Sequence, residues 1–137
     1  MEPEFDLLPT REVWIDAYLT GNVEQLAYVE SVHFFVKHGD LTKTKQQQLA
    51  RLRSFAAEHV SRMSGVTYVD ESRCITEYRE WATISGVGVM WKNGQIVQRN
   101  AFTELWLISD GRWQVAALCY EHHPHPVGAN VESTRGE

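Results

Sequence analysis

The sequence predicts an α+β fold in which N-terminal helices pack on one face of an antiparallel sheet. Three observations predict it. Up to about residue 63, apolar residues recur mainly at helical spacing. From residue 66 the period becomes two. Two short turn signals, Asn93-Gly94 and Asp110-Gly111, then cut the second half into consecutive strands.

The elements follow in order. Thr10 is placed to cap a first helix, in which Val13, Trp14, Ala17 and Tyr18 form one apolar stripe and Gly21 supplies the stop. Asn22 with Gln25 three residues on resembles a capping box, opening a second helix through Val23, Leu26 and Ala27. The run VHFFVK (32–37) is β-branched and aromatic and reads as a strand, closed by the turn HGD. Residues 42–63 read as one long helix whose buried face carries Leu49, Leu52, Phe55, Ala56, Val60 and Met63, with Gly65 as its stop. Strands are expected over 67–78, 81–91, 96–109 and 113–122. Gly86 and Gly88 mark a bulge or bend in the second of these. The whole of 1–137 reads as one domain with its core at about 8–122, and the polar stretch 124–137 has no periodicity and reads as a loose tail.

Composition narrows the function classes. A chain of 137 residues, 43% hydrophobic and 23% charged, can bury a real core and is not a disordered chain. A net charge of −5 offers no general attraction to nucleic acid or to an anionic membrane. Five Trp, five Tyr and five Phe point to a large aromatic core, a ligand cavity or a buried interface. Two cysteines, Cys74 and Cys119, do not make a disulfide framework. With no signal-peptide pattern at the start and no run near the ~20 apolar residues of a membrane span, a cytoplasmic protein is the expectation.

The closing hairpin carries a family resemblance. Arg99, Thr103 and Trp106, followed by DGRWQV (110–115), give the pattern R-x-x-x-T-x-x-W-x-x-x-D-G-x-W. It resembles the closing hairpin of SnoaL-like domains, in the nuclear transport factor 2-like superfamily, and of the association domain of calcium/calmodulin-dependent kinases. AYLTGN followed by EQL is similar to their junction of the first two helices, and LTKTKQQQL to the same region of the uncharacterised SnoaL-like branch. The resemblance covers about residues 8–122 and implies a cystatin-like cone, a curved antiparallel sheet wrapped around the N-terminal helices and a pocket. It says less about activity, because this fold hosts isomerases, dehydratases, adaptors and oligomerisation modules.

Strand alternation, taken without a bulge, then assigns faces. The resemblance implies that Arg99, Thr103, Trp113 and Cys119 face the concave side. Phe102, Trp106, Leu118 and Tyr120 would then form an apolar outer face, and the resemblance makes that face the interface of a homodimer. The ligand-binding candidates are Trp14, Tyr18, Arg99, Thr103 and Cys119. A buried Arg99 would need either an acidic ligand or an internal acid such as Glu77, Glu80 or Glu121. The acid–base candidates are Tyr18, His33 and Glu121. Isomerase chemistry of the ketosteroid type needs a carboxylate base and a Tyr/Asp pair. At the corresponding positions this chain has Trp14 and Lys37, which argues against it. Cys119 would need a base, His33 or His123, to become a nucleophile. His122, His123 and His125 diverge along a strand and lack metal-ligand spacing, so no metal and no cofactor is expected.

The leading functional expectation is a small-molecule-binding protein with an aromatic pocket, for an anionic or polyketide-like ligand. One alternative is a non-catalytic dimeric interaction module, an adaptor or toxin-neutralising protein. Another is a cofactor-independent isomerase, dehydratase or cyclase.

Overall fold

The computed structural model describes residues 5–122. The proposed tail, and with it His123 and His125, lies outside the described residues. The order is α1 (Leu7–Thr20), α2 (Val23–Val29), β1 (Glu30–His38), β2 (Leu41–Thr44), α3 (Lys45–Ser54), α4 (Ala56–Met63), β3 (Val66–Glu77), β4 (Trp81–Lys92), β5 (Gln95–Ser109) and β6 (Arg112–His122). The strands form one sheet in the order β2-β1-β6-β5-β4-β3. It is antiparallel except where β1 lies parallel to β6, so the sheet is mixed rather than wholly antiparallel.

Local chemistry explains the boundaries. α1 starts earlier than expected, with Asp6 at its N-cap, and Thr10 lies inside the first turn, where its hydroxyl donates to the Asp6 carbonyl at 2.8 Å. The helix ends at Gly21, whose φ of 73° places it in the left-handed region that caps helix ends. Asn22 accepts from the Gln25 amide and opens α2. The long helix expected over 42–63 is three elements. Leu41–Thr44 pairs with β1 as β2. Thr44 and Gln47 form a reciprocal capping box that begins α3. Phe55, at φ −120° and ψ 38°, leaves helical geometry and separates α3 from α4. The change of axis exposes Phe55 and Val60, which were expected inside, and buries His59.

The helices and β1 bring Leu7, Trp14, Ala17, Leu26, Val29 and Phe34 against Ala82, Ile84, Phe102, Trp106, Trp113 and Val115 of the sheet. Trp14 is the hub. Its ring meets Trp106 edge-on at 5.5 Å and Phe34 at 6.1 Å.

The faces of the sheet are the reverse of the expectation for β5. Phe102 and Trp106 point inward and are buried, so they are core residues and not an outer interface. On β6, Trp113 and Val115 also face inward. A bulge follows: Leu105 pairs with Ala117 and Trp106 with Val115, leaving Ala116 as the extra residue. That residue resets the alternation, so Leu118 and Tyr120 turn inward and Cys119 and Glu121 turn outward. A second copy seated on the sheet would therefore meet Ala101, Thr103 and Leu105 instead of the four residues expected there.

Candidate functional site

A cavity of about 210 Å³ opens between α1 and the concave face of β4, β5 and β6. Its walls are mainly apolar or aromatic: Trp14, Ile15, Tyr18, Leu19, Val36, Met90, Phe102, Leu118 and Tyr120. Polar groups enter from Lys43, Gln48, Tyr68, Gln98, Asn100 and Glu104. Gly88 is part of the wall for a steric reason. A Cβ there would lie 2.2 Å from the Tyr68 hydroxyl and 2.7 Å from its ring, so only glycine lets Tyr68 lie across β4.

Behind this wall is a buried ionic network. Arg11 Nε donates to both oxygens of Glu104, at 2.8 and 3.0 Å, and Nη2 donates to Glu104 Oε2 at 2.8 Å. Its Nη1 and Nη2 donate to Asp70 at 2.7 and 3.0 Å. Trp106 Nε1 donates to Glu104 Oε1 and the Tyr68 hydroxyl to Asp70 Oδ1, each at 2.8 Å. Burial alone would lower the Arg11 pKa, but the hydrogen bonds and charges of Glu104 and Asp70 outweigh it and raise it. Burial would likewise raise the Asp70 pKa, and the bonds from Arg11 and Tyr68 instead hold it below the usual range. Burial, then the Asp70 carboxylate, pushes Tyr68 up. Glu104 lines the cavity, yet its lone pairs are committed to Arg11 and Trp106, so it is held in place rather than offered as a base.

A second acid stands behind Trp14. Glu30, 2% exposed, accepts from the Trp14 indole at 3.1 Å. With its amide nitrogen turned toward Glu30, Gln48 donates to both carboxylate oxygens at 2.8 and 3.1 Å. Burial pushes the Glu30 pKa up to about 7, against the pull of Trp14, Gln48 and the Lys45 charge. Trp14 and Gln48 are cavity residues, so Glu30 orients the wall without lining it.

The candidates read from the sequence divide sharply. Trp14 and Tyr18 line the cavity. Arg99, Thr103 and Cys119 do not, because the odd-numbered residues of β5 and the post-bulge odd residues of β6 face outward. Arg99 pairs with Glu71, the bulged residue of β3, and with none of Glu77, Glu80 or Glu121. The reason for an anionic ligand at Arg99 therefore falls away. His33 is exposed on β1 and Glu121 exposed on the outer face, so neither joins Tyr18. Cys74 and Cys119 are both free thiols. Val36, not Lys37, faces the cavity from β1; the Lys37 ammonium turns to the Gly39 carbonyl. Sequence reasoning missed Arg11, Glu30, Tyr68, Asp70 and Glu104 as site residues. For Arg11 a signal existed: Leu7, Arg11, Trp14 and Tyr18 fall at i, i+4, i+7 and i+11, on the inward stripe of α1.

Comparison with known proteins bears on the fold. No protein-family model and no curated protein matches the chain by sequence. Solved structures do match. An NTF2-like protein from Cytophaga hutchinsonii superposes with a TM-score of 0.68 at 15% identity, covering 85% of this chain and 94% of that one. A protein of unknown function with a cystatin-like fold from Nostoc punctiforme gives 0.70 at 10% identity, covering 93% and 99%. An NTF2-like protein of unknown function in nutrient uptake from Rhodospirillum rubrum gives 0.67 at 17% identity, covering 88% and 100%. The chain therefore has the nuclear transport factor 2-like, cystatin-like fold. No helix among the described residues is long and apolar enough to cross a membrane.

Proposed function

We propose that this protein binds a small, largely apolar, ring-bearing molecule in the cone cavity and that binding, rather than acid–base catalysis, is its function there. The observation that carries this reading is the state of the cavity's polar groups. The carboxylate in its wall, Glu104, is already engaged by four hydrogen bonds from Arg11 and Trp106. Among the described residues, no hydrogen bond engages the Tyr18 and Tyr120 hydroxyls or the Gln98 and Asn100 side-chain amides. These are neutral groups, suited to orienting a carbonyl or hydroxyl on an apolar body. Burial, and then the neighbouring Tyr18, raises the Tyr120 pKa, which keeps that hydroxyl a donor. Isomerisation would need a free base, and neither Trp14 nor Val36, which α1 and β1 turn toward the cavity, supplies one.

Titration with naphthalene-2-acetamide, followed by tryptophan fluorescence, tests the reading. Trp14 in the wall should report binding. Met90→Trp, which fills the cavity, should weaken it by at least about tenfold, a cost of ~1.4 kcal/mol. Arg99→Gln, on the outer face, should leave it unchanged. Equal binding by Met90→Trp and the wild type would refute the assignment.

A further inference from the structure

A second hollow of about 480 Å³, formed by residues of α1, β2, α3 and α4, adjoins the cone cavity; Tyr18, Lys43 and Gln48 line both. The break at Phe55 creates it, because one unbroken helix would carry Arg51 and Arg62 along a single axis. The hollow's charge is opposite to that of the chain. Lys43, Arg51 and Arg62 face it with Glu58 as the carboxylate, in a protein of net charge −5.

The cations of the hollow have capacity to spare. The ion pairs among the described residues belong to Arg11, Arg73 and Arg99, not to these three. Arg51 lies over the Phe55 ring at 5.3 Å, which leaves its N–H edge free. Arg62 is aimed by a relay. His59 Nε2 donates to the Tyr18 carbonyl at 2.6 Å, which leaves a lone pair at Nδ1 to accept from Arg62 Nη2 at 3.3 Å. The carbonyl can only accept and the guanidinium only donate, so the buried ring has one consistent arrangement.

We infer that the two hollows form one site for an amphiphilic ligand, with its apolar body in the cone cavity and a single oxyanion, carboxylate or phosphate, at the Lys43–Arg51–Arg62 rim. The inference rests on the reading of the cone cavity as a binding site and adds the ligand's charge and orientation. Planar guanidinium groups favour oxyanions because two N–H donors can meet two oxygens. The neutral floor and cationic mouth then fix which end of the ligand enters first.

The test compares two molecules with one apolar body. Naphthalene-2-acetate and naphthalene-2-acetamide are titrated by calorimetry into the wild type and an Arg51→Gln/Arg62→Gln double variant. Both replaced side chains are exposed and neither lines the cone cavity, and Arg51→Gln alone provides a second variant. The acetate should bind about tenfold more tightly than the amide in dilute buffer. That advantage should vanish in the double variant and shrink in about 1 M salt, where the Debye length is about 3 Å. The amide's affinity should move in neither case. Equal affinities for the two molecules, or a double variant that weakens both alike, would overturn the inference and leave the cavity reading intact. Acetate ion alone binding as tightly as naphthalene-2-acetate would also overturn it, since the hollows would then act separately. If neither naphthalene compound binds, both readings fall.

Discussion

Arg11 is 3% exposed, and a guanidinium at that depth is tolerated only because Glu104 and Asp70 surround it. Such an arrangement adds little net stability over a well-packed apolar one, yet breaking it is costly, because the surviving charges are left buried and unpaired. Arg11→Met should therefore lower the unfolding free energy by about 3–5 kcal/mol, read from the urea midpoint. A loss below about 1 kcal/mol would mean that the network relaxes into solvent. Glu30 gives a pH-dependent case. Its pKa rises from 4.5 in the unfolded chain to about 7 in the fold. Between those values the native state holds a proton that the unfolded chain has released. Its contribution to stability is thus greatest at low pH and is lost as pH climbs through 7. Glu30→Gln removes the ionisable group and keeps an acceptor for Trp14. The variant should gain on the wild type between pH 5.5 and 8, by about 2 kcal/mol across that range. Parallel melting-temperature curves over that range would contradict the assignment. Neither residue advertised itself by type. Arg11 is a charged residue on an inward stripe, and Glu30 starts a strand without any periodic pattern around it.

At the scale of elements, one residue in β6 decides which face holds the site. Inserting one alanine after Ala116 would shift every later residue by one position, turning Leu118 and Tyr120 outward and Cys119 and Glu121 into the cavity. The lengthened chain should lose more than about 3 kcal/mol or fail to fold, whereas Ala116→Ser keeps the register and should change stability by less than about 1 kcal/mol, compared by denaturant unfolding. The strands of the second half were legible because Asn93-Gly94 and Asp110-Gly111 are strong turn signals. Their facing was partly legible too. A two-residue turn at Asp110-Gly111 pairs Ser109 with Arg112 and therefore Ile108 with Trp113. An inward Trp113 then requires an inward Trp106 two positions earlier on β5. The resemblance at Arg99 and Thr103 pointed the other way, and both faces of β5 carry apolar residues, so composition could not arbitrate. The Ala116 bulge left no such trace, since alanine is at home on either face. The split of the expected long helix was legible at one end only. Thr44 with Gln47 is a capping box in the sequence, while the break at Phe55 has no glycine or proline to mark it.

Across the whole molecule, α1 and the concave sheet enclose a cavity with a neutral polar floor, and a cationic hollow adjoins its mouth. The chain as a whole is acidic, so attraction to an anion is a local effect of the mouth, within about 10 Å at ordinary salt. The fold itself is shared with proteins of little sequence likeness, and it positions a cavity without prescribing what the cavity holds. The account therefore turns on where a small molecule sits. Nuclear Overhauser contacts between the ring protons of bound naphthalene-2-acetamide and side-chain protons test this directly. Contacts to the Met90 methyl and to Val36 and Leu118 are the predicted result. Contacts to Val97, Leu105 or Leu107, on the opposite face of the sheet, would contradict it.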